Sequence, residues 1–126
     1  MKYKNIEGID ISWWPKNRPR GNSSKNHAAA LEIIQEKYPG AIIYEEVNLP
    51  IEKKNLYLDF LVPDFRIAFE VDGRQHDEFV AHFHGNAMGF VKQQRNDRLK
   101  EEWCEINKIQ LVRLKERERK SWSKKF

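Results

Sequence analysis

The sequence predicts a single α/β (α+β) domain in which a mixed sheet is flanked by helices. Three observations indicate this class. Apolar runs of strand length and two helical segments follow one another in the order αβββαβ. A length of 126 residues suits one domain. Hydrophobic residues make up 40% of the chain and aromatic residues 12%, which argues for a packed core and against disorder.

The first part of the chain predicts an arm followed by one helix. Prolines and a glycine make residues 1–22 an irregular, basic arm. The helix that follows is expected to be capped by Ser23 or Ser24 and ended by Pro39-Gly40. His27, close to the start of this helix, is expected at the surface or at the cap.

The centre of the chain predicts three strands, of which the last two form a hairpin turning at Pro63-Asp64. A second helix follows at about 87–106, and a closing strand at 109–114. The core domain is therefore expected to span residues 23–114. A basic tail, 115–126, follows it.

Charge is distributed unevenly along the chain. Residues 1–26 carry six Lys or Arg against two acids, residues 113–126 carry seven against two, and residues 27–112 have a net charge of −5. Basic ends suit a polyanion, since each neutralised phosphate releases counterions, although basic ends that only maintain solubility are the alternative. The acidic centre suits metal binding. Without a membrane-length apolar run or a signal segment, we expect a cytoplasmic protein with no membrane partner.

The predicted hairpin brings acidic residues together. If Val62 lies opposite Ile67, then Asp59 lies opposite Glu70, with Cβ atoms about 5 Å apart. Asp72 projects from the same face, because strand side chains alternate. Acids on one face repel unless a cation lies between them, and Mg²⁺ prefers such oxygen ligands. A register shifted by one residue would separate the pair, and a solvent-facing acidic surface is the alternative to a metal site.

One motif resembles the core of the PD-(D/E)XK nuclease superfamily: Asp59-Phe60-Leu61-Val62-Pro63, followed by Glu70-Val71-Asp72-Gly73-Arg74-Gln75-His76. Together with Asp97-Arg98 and Leu111-Val112-Arg113, it is similar to the branch of very-short-patch repair and phage homing endonucleases. The likeness spans about residues 24–114. It implies a restriction-endonuclease-like core, a DNA partner, and Mg²⁺, replaceable by Mn²⁺, as cofactor. It further implies an endonuclease of prokaryotic or phage origin.

The resemblance also implies roles for single residues. Two metal-binding acids, two helical acids and a histidine form the implied catalytic set: Asp59, Glu70, Glu32, Asp97 and His76. The Val71 carbonyl would complete the metal ligands. Asp72 replaces the motif lysine within the site. His76 therefore becomes the expected general base, and Lys92 or Arg95 the expected source of positive charge.

The expected DNA contacts are aromatic and basic residues of the two ends, the loop after the hairpin and the second helix: Trp13, Trp14, Lys16, Arg18, Arg20, Arg74, Lys92, Arg95, Lys124 and Lys125. The two tryptophans of the arm would stack on bases or cover an edge of the core, and both interpretations stay open. Trp103, on the amphipathic second helix, is expected in the core.

Several alternatives stay open at this stage. A structural zinc site would need His76, His82, His84 and Cys104, whose spacing lacks the usual ligand pattern. The alternative function is a noncatalytic nucleic-acid-binding module on a degenerate nuclease scaffold, and an RNA-processing nuclease is a further one. A homodimer would supply cutting of both DNA strands.

Overall fold

A computed structural model describes residues 2–19, 24–73 and 87–125. Four strands form the central sheet: β3 (Tyr44–Asn48), β4 (Tyr57–Val62), β5 (Ile67–Asp72) and β6 (Gln110–Lys115). They are ordered β3-β4-β5-β6, with the first three antiparallel and β6 parallel to β5. The described ranges contain the helices α1 (Lys25–Lys37) and α2 (Ala87–Ile106). The predicted mixed α+β class and the order of these elements are confirmed.

The β4–β5 hairpin has the predicted register. Val62 pairs with Ile67, and Phe60 pairs with Phe69. Pro63–Phe65 forms a short 3₁₀ turn between the strands, where proline fixes the backbone and thereby helps to set the register. Both phenylalanines are fully buried, in the core cluster that α1 covers.

α1 begins at one of the two predicted caps. The hydroxyl of Ser24 accepts the backbone N–H of His27 at 3.1 Å. The buried residues of the helix are His27, Ala30 and Ile34, whose spacing places them on one face. The expected surface position of His27 is wrong. Its side chain is 2% exposed, because it shares the face that packs on the sheet.

The N-terminal residues contribute to the core. They form a small antiparallel sheet, β1 (Tyr3–Lys4) and β2 (Asp10–Ile11). Tyr3 is buried, and the Trp13 ring packs edge-on against it at 4.8 Å between centroids. Asn107, after α2, accepts a backbone N–H of β1 at 2.7 Å. The predicted irregular arm therefore includes a regular two-stranded element and core residues.

The C-terminal residues also reach the core. Glu116–Lys125 forms 3₁₀ turns after β6. Within it, Trp122 is fully buried, and its indole N–H donates to the Lys115 carbonyl at 2.8 Å. The ring belongs to the cluster that contains Ile34 of α1 and Leu114 of β6. The boundary predicted at residue 114 therefore leaves a core residue outside the domain.

Candidate active site

Two carboxylates lie side by side in the β4–β5 hairpin. The backbone N–H of Asp59 donates to Glu70 Oε2 at 2.9 Å, and the backbone N–H of Val71 donates to Asp59 Oδ2 at 2.8 Å. The carboxylate oxygens of both acids thus accept hydrogen bonds from main-chain N–H groups of the hairpin. Glu70 is 2% exposed. The two acids are neighbours, as the predicted register requires.

The charge of this pair is only partly compensated. Burial, followed by repulsion from the Glu70 carboxylate, raises the pKa of Asp59 to about 8. At neutral pH and without metal, the pair therefore retains a proton. A divalent cation would offset the same repulsion by binding both carboxylates, so the donor set suits an oxygen-preferring ion.

Lys100 of α2 supplies the positive charge at the pair. Its ammonium donates to Glu70 Oε1 at 2.5 Å, and its side chain is 15% exposed. Burial lowers the pKa of Lys100, but attraction to Glu70 and Asp59 outweighs it, and the pKa lies above its usual value. Lys92 and Arg95, the expected sources of this charge, are both exposed, and the structure shows Lys100 in contact with Glu70.

Helical spacing could have identified Lys100 from the sequence. It lies three residues before Trp103, which the sequence correctly places in the core, and residues three apart share a helix face. The sequence analysis instead selected basic residues nearer the start of the helix.

Asp72 has an arginine partner in β6. Both of its carboxylate oxygens accept from Nη1 of Arg113 at 3.3 Å, and Asp72 is 3% exposed. Arg113 also donates to Glu101 at 3.1 Å through Nη2. The sequence analysis grouped Asp72 with the two acids around one cation, whereas the structure gives it a salt bridge. This difference arises because β6 runs beside β5 and brings Arg113 to that position.

Two further residues approach Asp59, and the sequence analysis assigned neither to the site. One potential ligand atom each of His27, Glu46 and Asp59 lies within 4.8 Å of the other two. The β3–β4 register pairs the neighbours of Glu46 on β3 with the neighbours of Asp59 on β4. Glu46 therefore lies across from Asp59. Glu46 has φ 50°, a left-handed conformation that costs about 1–3 kcal/mol in a residue other than glycine.

The two helical acids implied by the resemblance occupy different positions. Glu32 is exposed on α1, about 140° around the helix from the buried His27, so it does not lie beside the carboxylate pair. Asp97 lies on α2 and lines a cavity of about 280 Å³ together with Glu46, Asp59 and Lys100. The cavity opens beside Asp59, so Asp97 lies near that acid and Lys100.

Some predicted residues cannot be placed. The expected general base His76 and the expected DNA contacts Arg20 and Arg74 lie outside the described residues. At the C-terminus, Lys124 is exposed, whereas the Lys125 ammonium lies 3.0 Å from a glutamate of its own segment.

The basic N-terminal arm is hydrogen-bonded to β3, the strand that carries Glu46. The backbone N–H of Arg18 donates to the Glu45 carbonyl at 2.9 Å, and the backbone N–H of Glu45 donates to Asn17 Oδ1 at 2.8 Å. A cleft of about 400 Å³ is lined by both tryptophans of the arm, Lys16 and Arg18. Trp14 is 64% exposed there, whereas the preceding tryptophan packs against the core.

Comparisons with known proteins give two partial relatives. The chain is 37% identical over 60 residues to uncharacterized protein 307L of Invertebrate iridescent virus 6, covering 48% of this chain and 30% of the viral protein. It is 34% identical over 65 residues to uncharacterized protein 033L of Invertebrate iridescent virus 3, covering 52% of this chain and 34% of that protein. These matches span about a third of each relative.

No protein-family model matches the chain, and no solved structure matches it. Across the described ranges of the chain, none of the helices combines the length and apolar character that crossing a membrane requires.

Proposed function

We propose that this chain is a metal-dependent DNA endonuclease with a restriction-endonuclease-like core. The observation that carries the proposal is the pair of Asp59 and Glu70 with the Lys100 ammonium 2.5 Å from Glu70. Metal-dependent hydrolysis of a phosphodiester uses a bound metal, an activated water and positive charge at the phosphate. The acids of this cluster would bind the metal, and its lysine would supply the positive charge at the phosphate. The resemblance of residues 24–114 to the PD-(D/E)XK superfamily supports the proposal.

Asp59, Glu70 and the Val71 carbonyl would hold Mg²⁺, or Mn²⁺ in its place. The donor set fits, because all three ligands are oxygens, and because the pKa of Asp59 is raised first by burial and then by repulsion from Glu70, which a cation would offset. When bound, the ion would lower the pKa of a water ligand and neutralise charge that develops on the phosphate.

The chain's own residues have separate tasks in this proposal. Lys100 would stabilise the negative charge of the phosphate, the task of the motif lysine that Asp72 replaces. Asp72 and Arg113 would instead hold β5 against β6 by their salt bridge. Because Asp72 lies two residues after Glu70 on β5, this bridge would also hold Glu70 in place. His76 stays the proposed general base, since a histidine can accept a proton near neutral pH.

DNA is the proposed substrate because the basic arm lies beside the acids. The arm's backbone contacts with Glu45 place Lys16 and Arg18 near the strand that carries Glu46. These cations would bind phosphates, and the exposed Trp14 would stack on a base. One site cuts one strand at a time, so a homodimer would supply concerted cutting of both strands.

The test is a cleavage assay on supercoiled, linear and four-way-branched DNA with Mg²⁺, Mn²⁺ or EDTA. We expect metal-dependent cutting that Asp59→Asn and Lys100→Met each reduce at least about a hundredfold. Glu36→Gln, which alters an exposed acid of α1, is expected to cut like the wild-type chain. Nicked circles would indicate one-strand cutting, and linear products that form without a nicked intermediate would indicate concerted cutting, as expected of a homodimer.

Three results would overturn this proposal. Tight DNA binding that EDTA does not change, without cutting in either metal, would indicate a noncatalytic binding module. Cutting of RNA alone in a parallel assay would replace the substrate class. Equal activity of the Asp59→Asn and Glu36→Gln variants would also exclude the carboxylate pair as the catalytic centre.

A further inference from the structure

His27 has the environment of a metal ligand. The residue is buried, and its Nδ1 has no hydrogen-bond partner among the residues that the structure describes. Its Nε2 lies 3.0 Å from Glu45 Oε1, and its ring stacks on Phe60 at 4.4 Å between centroids. Metal-binding histidines commonly donate one ring N–H to a carboxylate, which fixes the ring and leaves the other nitrogen to bind the ion. Glu45 can hold the imidazole of His27 in that form.

Two carboxylates complete this environment. Ligand atoms of Glu46 and Asp59 lie with one of His27 in a group whose members are all within 4.8 Å of one another. Ligand distances of about 2.0–2.2 Å let two ligands of one ion lie up to about 4.4 Å apart, so small side-chain rotations would bring all three atoms onto one ion. The three ligands come from α1, β3 and β4, so the fold itself brings them together.

We propose that His27, Glu46 and Asp59 bind a divalent first-row transition-metal ion, distinct in ligand set from the Mg²⁺ position. Imidazole nitrogen is a better ligand for Mn²⁺, Co²⁺ or Zn²⁺ than for Mg²⁺, which favours oxygen. The site shares Asp59 with the proposed nuclease pair. It stands on its own contacts, however, and does not require that the protein cut DNA.

Co²⁺ is the probe, because its visible absorption reports the ligands directly. The full-length chain without DNA is titrated with CoCl₂ after metal removal. We expect saturable absorption, with His27→Gln and Glu46→Gln each weakening Co²⁺ binding at least about tenfold. Glu36→Gln, on the same helix as His27 but exposed, is the matched control and is expected to bind Co²⁺ like the wild-type chain.

A second measurement separates ligation from folding. In proton NMR of the Co²⁺-loaded protein, a ligating imidazole gives a strongly shifted ring N–H signal, which we expect to vanish in His27→Gln. Thermal unfolding without metal shows whether that variant is folded. Unchanged Co²⁺ affinity in a folded His27→Gln variant would overturn the proposal, as would equal weakening in Glu36→Gln.

Failure of this proposal can be told apart from failure of the proposed function. Lys100→Met is expected to lose cutting but to keep the His27-dependent Co²⁺ absorption. Co²⁺ binding in a wild-type chain that never cuts nucleic acid would refute the nuclease alone. Mg²⁺-dependent cutting without any effect of His27→Gln on Co²⁺ would refute the transition-metal site alone.

Discussion

At the scale of single residues, the ion pair of Lys100 and Glu70 is a buried contact of the candidate site. The pair is largely withdrawn from water, with side chains 15% and 3% exposed. Lys100→Met removes the ammonium but keeps most of the side chain, so a buried carboxylate loses its partner. We expect the free energy of unfolding to fall by about 3 kcal/mol, measured by urea denaturation in EDTA.

The control for this variant is Lys37→Met, at an exposed position in the last turn of α1. We expect a change within about 0.5 kcal/mol there, as for most surface substitutions. Equal losses in Lys37→Met and Lys100→Met would show that the methionine, and not the lost ion pair, causes the destabilisation.

Cys104, which lies on α2 four residues after Lys100, provides a test of burial in that helix. It is 1% exposed, and burial raises the pKa of its thiol to about 12. Since the thiolate is the reactive form, we expect dithiobisnitrobenzoate to leave native Cys104 unmodified at pH 8 and to modify it fully in urea. Rapid modification of the native protein would contradict this position of the thiol.

The same pKa shift gives the sign of an alkaline effect. The ordinary thiol pKa is 9.0, and the folded value is about 12. The folded state therefore keeps a proton that the unfolded state loses, and the contribution of Cys104 to stability declines as pH rises from 9.0 toward 12. Comparing Cys104→Ala with the wild-type chain over that window isolates this contribution.

At the scale of elements, the end of α2 is strained at one residue. Lys108 is exposed and has φ 56°, a left-handed conformation that suits glycine. We expect Lys108→Gly to raise the free energy of unfolding by about 0.5–1 kcal/mol. The matched control, Lys37→Gly, falls within α1 and should lower it by a similar amount. Urea denaturation measures both, and destabilisation by Lys108→Gly would contradict the argument.

The hairpin is the element that the sequence predicted best. A proline turn between two apolar runs defines both the strands and their register, so the neighbours Asp59 and Glu70 followed from local pattern alone. The remainder of the site needed tertiary knowledge. Glu46 approaches because β3 pairs with β4, and His27 approaches because α1 packs on the sheet. The local sequence pattern of β3 does not indicate the strand with which it pairs, and that of α1 does not indicate how the helix packs on the sheet.

The ends of the chain show the same limit. Basic composition and prolines favoured an exposed arm and tail, and the two segments do carry exposed charges. However, Tyr3 and Trp122 are buried, because the central elements leave apolar surface that these rings cover. Composition indicates the average exposure of such a segment, whereas a single aromatic residue can determine whether the segment packs on the core.

At the scale of the whole molecule, the arm brings positive charge to the acidic cluster. Lys16 and Arg18 are exposed, while the backbone beside them is bonded to β3. If both side chains contact phosphates, each contact contributes about 0.9 to the slope of log affinity against log salt. We therefore expect the double variant Lys16→Ala/Arg18→Ala to bind duplex DNA more weakly and to reduce that slope by about 2.

Fluorescence anisotropy in EDTA measures this binding without cleavage. The control is Lys37→Ala/Lys54→Ala, which removes the same formal charge from positions outside the arm. A change in slope of the same size in both double variants would mean that net charge alone attracts DNA. A smaller slope in the arm variant only would indicate that phosphates lie along the arm, because counterion release counts local contacts rather than total charge. DNA held there would run beside the strand that carries Glu46, so the arm would deliver the phosphate backbone toward the carboxylates.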